Sequence, residues 1–145
     1  FYPRLFAELR RGNRLSAVAT RWFLRFLGIN AVFALIAVLA YTVLKDSLLP
    51  VKYASANNYF YALVAASLGV AAYRPFGLIA EYFQMARARA IAILTGGGVT
   101  IGTTFAGTRW LDTPLMAAVG IGAGYVVTAG ILAVAIRSKL RKSTE

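Results

Sequence analysis

The chain has no cysteine and no histidine among its 145 residues. Without cysteine there is no disulfide, no thiolate nucleophile and no thiolate metal site. Without histidine the usual general base and the commonest metal ligand are missing. Acidic residues are scarce as well: five are spread over the whole chain, and no two fall together in an apolar stretch. A hydrolytic or metal-dependent mechanism therefore has few candidates. The one glycine run, Gly96-Gly97-Gly98, lies inside an apolar stretch and not at a strand-to-helix turn that would cradle phosphate. The chain reads as not an enzyme, with no cofactor and no bound metal expected.

What the sequence has in abundance is long apolar runs. The residues are 59% hydrophobic, and the mean hydropathy is +0.65. Stretches 26–44, 54–73, 90–108 and 115–136 contain no charged residue. A hydrocarbon core of ~30 Å takes ~20 helical residues at 1.5 Å each, so each stretch suffices to span a bilayer. Spans are predicted at about 26–44, 54–80, 90–108 and 114–136. The fold class predicted is all-α: a polytopic membrane protein with four transmembrane helices.

Charge then sets the orientation. If the chain weaves back and forth, Arg4, Arg10, Arg11, Arg14, Arg21, Arg25, Arg74, Arg87, Arg89, Arg137, Lys139, Arg141 and Lys142 share one side. Only Lys45, Lys52 and Arg109 fall on the other, which is 13 of 16 basic residues against three. Such a bias places the richer side, and both termini, in the cytoplasm. The net charge of +11 would suggest nucleic-acid binding in a soluble domain. Here the cations flank apolar spans, so topology and attraction to anionic headgroups explain them without nucleic acid.

Residues 1–25 read as a cytoplasmic amphipathic and linker segment, with Leu5, Phe6 and Leu9 interleaved with Glu8, Arg10 and Arg11. Gly12-Asn13 signals a turn, and Trp22 suits an interfacial aromatic. Tyr53, Tyr59 and Tyr61 are expected interface anchors at the outer entry of the second span, beside Asn57 and Asn58. Pro75 is expected to interrupt that span's helix. Thr113 or Asp112 can cap the last helix, with Pro114 in its first turn, and Arg109 and Asp112 suit an outer interfacial pair. Residues 137–145 form a basic cytoplasmic tail. Loops this short predict that successive spans are antiparallel and adjacent.

Glycine concentrates in the last two spans. Gly98 with Gly102, and Gly120 with Gly124, form small-xxx-small pairs, with Gly96, Gly97 and Gly122 beside them. Such residues let helices approach closely in lipid, and a glycine run also lets a helix bend during transport. Arg74 is the candidate functional residue. Seven-residue spacing puts Ser67, Arg74 and Glu81 on one helical face, a polar stripe on an apolar segment. Arg74 either snorkels to the inner headgroups or contacts an anionic substrate such as a lipid-linked phosphate.

In its order of features the chain resembles the C-terminal third of polysaccharide flippases of the multidrug/oligosaccharidyl-lipid/polysaccharide exporter superfamily. The resemblance begins at Phe1-Tyr2-Pro3-Arg4-Leu5, which looks like the segment closing an even-numbered helix in those proteins. It continues through Tyr53-Ala54-Ser55-Ala56 and Arg74-Pro75, then two terminal spans joined by residues 110–117. The turn at residues 84–89 departs from the family in lacking glycine.

The resemblance implies movement of a lipid-linked oligosaccharide across the bacterial inner membrane, in lipopolysaccharide or other polysaccharide biosynthesis, by alternating access of two helical bundles. It also implies a central cationic cavity for the pyrophosphate-sugar head, to which Arg74 is the only plausible contributor here, and an N-terminal bundle of the same protein as the missing partner; the stripe itself makes Ser67 and Glu81 candidate substrate contacts beside Arg74. On that reading the chain, which starts at Phe1, is the C-terminal portion of a larger transporter and is inactive alone. Two other classes compete. A small autonomous exporter or accessory subunit is one, although its first span lacks the embedded carboxylate that proton coupling needs. A structural membrane anchor is the other, and the polar stripe argues against it.

Overall fold

A computed structural model describes residues 2–10, 15–48, 56–110 and 115–142. They form five helices: α1 (Tyr2–Arg10), α2 (Leu15–Leu48), α3 (Ala56–Tyr82), α4 (Ala86–Trp110) and α5 (Leu115–Lys142). Helices α2 to α5 are each long and apolar enough to cross a membrane. The chain is an all-α, multi-pass protein. The expectations for Gly12-Asn13, Lys52, Tyr53, Asp112, Thr113, Pro114 and residues 143–145 lie outside the described residues.

Pro75 does not interrupt α3, contrary to expectation. A proline inside a helix removes one N–H and crowds the carbonyl four residues back, yet spanning helices tolerate this when neighbours support the backbone. Pro75 is fully buried, so packing holds the helix through it.

The α3–α4 turn departs from the glycine rule in an informative way. Gln84 takes a positive φ of 52°, the left-handed conformation that normally ends a helix at glycine. The Gln84 N–H donates to the Glu81 carbonyl (2.9 Å), and the Met85 N–H donates to the Ala80 carbonyl (2.8 Å). These are the two bonds of a Schellman cap. Met85 packs on the buried pair Ala80 and Ala92, supplying the cap's apolar contact. The Lys139 ammonium donates to the Phe83 carbonyl at 2.8 Å, placing a cation at the negative end of α3. A β-carbon in this conformation costs ~1 kcal/mol. Gln84→Gly should therefore raise the stability by about that amount, read as a small rise in melting temperature in detergent; a fall would mean that the Gln84 side chain contributes more than its backbone strain costs.

The helices pack as a row in the order α2, α3, α5, α4, with α1 laid across one end. Successive spans are adjacent for α2–α3 and α4–α5, but α3 and α4 barely touch away from their turn. The reason is α5, which carries small residues on two faces. Gly120, Gly124 and Thr128 meet α4, while Gly122 meets Ala66 and Gly69 of α3. Backbone approach on both sides draws α5 in between its predecessors.

The α4–α5 seam repeats every four residues. Ala92, Gly96 and Thr100 on α4 face Thr128, Gly124 and Gly120 on α5. A β-carbon at Gly124 would collide with the Thr100 hydroxyl and lie 2.6 Å from the Gly96 carbonyl oxygen. The Thr100 hydroxyl donates to the Gly96 carbonyl on its own helix and to Gly120 across the seam, both at 3.1 Å. Thr128 does likewise, to Gly124 (2.8 Å) and Ala92 (3.2 Å). The predicted Gly120/Gly124 pair thus sits in the interface. Gly98 and Gly102 do not: nothing lies within 4 Å of a β-carbon at either. They are two residues, or ~200° of helix, away from the Gly96 and Thr100 face.

The most enclosed core is where α1 meets the row. Leu5, Val18, Trp22, Ile79 and Ile136 are all buried together there. Trp22, expected at the lipid interface, is instead 1% exposed, and its indole N–H points to the Glu8 carboxylate at 3.4 Å. The amphipathic helix α1 covers it, fixed by the Glu8–Arg21 ion pair (3.5 Å) and by Phe6 stacked on Tyr82. At the opposite end Tyr41 stacks on Phe60 with ring centroids 4.0 Å apart, while Tyr59 and Tyr61 are exposed.

Candidate functional site

The end that carries α1 and the α3–α4 turn is basic: Arg4, Arg21, Arg25, Arg87, Arg137 and Lys139 are exposed there. Arg74 belongs to the margin of this end. On antiparallel helices α2 and α3, Phe23 meets Phe76 with centroids 5.8 Å apart. Two residues further along each helix, in opposite senses, bring Arg25 and Arg74 to the same level. Arg74 is thus ~27 Å along α3 from Ala56 at 1.5 Å per residue, nearer the basic end of the helix than the opposite end, and inside the apolar segment Asn58–Tyr82.

The three stripe residues differ in what they are free to do. Ser67 is half-buried, and its hydroxyl donates to the Val64 carbonyl at 2.6 Å, a local bond that satisfies it within α3. Glu81 is exposed and pairs with Arg89 of α4 at 3.5 Å, closing the turn; exposed pairs of this kind contribute ~0–1 kcal/mol. Arg74 is exposed and has no hydrogen bond or ion pair among the described residues. Seven residues of helix separate neighbouring members by ~10 Å, so the stripe shares a face without forming one contact cluster.

Beside Arg74 lies a feature that pattern reading did not find. A groove of about 570 Å³ runs between α3 and α4 with α5 as its floor. Tyr73, the residue before Arg74, closes one part of it together with Tyr125, their rings 5.7 Å apart. Gly96, Gly97 and Gly124 leave the floor and one wall as bare backbone, and Ile93 and Ile121 line the sides. The groove exists because α3 and α4 are held apart by α5. A signal was present in the sequence: two small-residue faces on α5 imply two partners. Its consequence for α3 and α4 needs the three-dimensional order of the helices.

Gly77 shapes the groove's end. A β-carbon there would lie 3.0–3.1 Å from the tip of the Tyr73 ring, so the ring lies along α3 toward the basic end. Neither the Tyr73 nor the Tyr125 hydroxyl has a hydrogen-bond partner among the described residues. No three His, Cys, Asp or Glu side chains lie together among those residues. Chemically the site offers a cation, two free phenols and an apolar channel, which suits binding of an amphiphile with an anionic head. No known family model, curated protein or solved structure matches the chain.

Proposed function

We propose that the chain is part of a membrane transporter that flips lipid-linked oligosaccharide or polysaccharide precursors across the bacterial inner membrane by alternating access. The reading takes its substrate class from the resemblance to polysaccharide flippases. The single observation that carries it is Arg74, an exposed guanidinium without a partner among the described residues, toward the basic end of α3 and next in sequence to Tyr73 of an apolar groove. A planar guanidinium grips phosphate through two parallel hydrogen bonds. A cation at the membrane margin costs little while it reaches headgroups, and it is ready to receive a lipid-linked phosphate entering from that side. Ser67 and Glu81 extend the same face toward the two membrane surfaces.

The open order of helices supports the reading in a second way. A single row is one wall of a cavity and presents two broad faces. A second helical bundle opposite the Arg74 face supplies the other wall, and rocking of one against the other exposes the site alternately. The test is glycan export in a flippase-deficient strain expressing the full-length protein, comparing Arg74→Ala with Arg74→Lys.

Orientation follows from the basic end, which this reading places in the cytoplasm with both termini. Single cysteines replacing Lys52 and Ser143 should react with a membrane-impermeant maleimide from opposite sides of intact cells, the first from outside only. Labelling of both from outside contradicts the four-span orientation.

A further inference from the structure

In the reading above the groove serves only as the neighbour of Arg74, and its own chemistry is specific. It lies between three helices long and apolar enough to cross a membrane, and no charged residue lines it among the described residues. Its threonine hydrogens are committed to helix carbonyls: Thr100 to Gly96 and Gly120, and Thr128 to Gly124 and Ala92. The channel therefore offers almost nothing to a polar ligand and much to a hydrocarbon one. At the end where the Tyr73 ring runs toward Gly77 the character reverses. There Tyr73 lines the groove, and Arg74 follows it on α3 outside the lining; neither the phenol nor the guanidinium has a partner among the described residues, and the basic end of the bundle begins.

We propose that this groove binds one hydrocarbon chain of an anionic membrane lipid, with the lipid phosphate held at Arg74 and Tyr73. Charge complementarity selects this occupant. An apolar helix filling the groove would leave Arg74 unpaired beside it, whereas a lipid satisfies the channel and the cation together. Arg74 lies toward the basic end of α3, the end a phosphate would approach, and the groove leads away from that end between the apolar helices. The proposal deepens the transport reading by giving the tail of a lipid-linked substrate a seat, and it rests on that reading for Arg74 alone.

Gly97 provides the decisive variant. It lines the groove, and nothing lies within 4 Å of a β-carbon there, so Gly97→Phe fills the channel without disturbing the α4–α5 seam. Gly98→Phe is the control, with the same open surroundings outside the groove. The protein is placed in phosphatidylcholine vesicles doped with phosphatidylglycerol that carries a diazirine in one acyl chain; after irradiation the adducts are mapped by mass spectrometry. Adducts should concentrate on Ile93 and Ile121, fall several-fold in Gly97→Phe and persist in Gly98→Phe. Arg74→Gln should abolish the preference over diazirine phosphatidylcholine.

Adducts spread evenly onto outward residues such as Phe33 and Leu94, or unchanged in Gly97→Phe, would overturn the site. A preference for phosphatidylglycerol that survives Arg74→Gln would overturn the phosphate assignment. The readout needs no transport. Export lost in Arg74→Ala with even labelling removes the groove and keeps the flippase reading, and the converse result does the reverse.

Discussion

Gly124→Leu should lower the melting temperature in detergent by on the order of 10 °C, while Gly102→Leu should leave it nearly unchanged. The contrast follows from the register of the α4–α5 seam. At Gly124 a side chain meets the Thr100 hydroxyl and the Gly96 carbonyl, and at Gly120 it lies 2.9 Å from the Thr100 carbonyl oxygen and the Thr104 hydroxyl oxygen. Backbone cannot yield as a flexible side chain does, so the helices must separate. Separation also breaks the Thr100 and Thr128 bonds across the seam. Overpacking a core costs ~1–3 kcal/mol or more, and in a chain of this size each kcal/mol shifts the midpoint by ~2–4 °C. Gly102 and Gly98 face open surroundings, where leucine adds only lipid-facing surface. Equal losses at Gly102 and Gly124 would mean that the seam has been placed on the wrong face of α4.

Arg74→Ala should cut glycan export by about tenfold or more at unchanged protein level. A hydrogen bond to a charged group contributes ~1.5–3 kcal/mol, and every 1.4 kcal/mol is a factor of ten in binding. Arg74→Lys should retain part of the activity, because charge survives while the bidentate fork does not. Stability should hardly change in either variant, since Arg74 is exposed and pairs with no described residue. Normal export by Arg74→Ala would leave the residue as a headgroup anchor and remove it from the substrate path.

Much of this architecture was legible in the sequence because the bilayer imposes coarse rules. Length and the absence of charge located the four spans, since those two quantities alone decide whether a helix is stable in hydrocarbon. The amphipathic pattern of residues 2–10 was legible too, but not what it covers. Trp22 looks interfacial until Leu5 and Glu8 are seen to close over it.

Helix order was not legible. Small-residue pairs can be read as motifs, but which pair faces a neighbour depends on helix rotation, and lipid gives no amphipathic stripe to fix that rotation. Gly98-xxx-Gly102 and Gly96-xxx-Thr100 are equally plausible on paper, and only the second packs. Gln84 is a related case: the helix ends where apolar packing of Met85 requires it, and the left-handed residue there is glutamine, not glycine. The candidate site was half legible. Arg74 stands out as a charge inside the predicted second span. The groove beside it arises from the wedging of α5 between α3 and α4, a tertiary fact with no local signature.

The most direct measurement is lipid movement itself. The full-length protein is reconstituted into vesicles whose inner leaflet carries a lipid-linked oligosaccharide, and its appearance outside is followed with a lectin that cannot cross the membrane. The account predicts lectin binding that rises faster than in protein-free vesicles, and that slows about tenfold when Arg74 is alanine. A rate equal to that of protein-free vesicles, with correctly folded protein present, would contradict it.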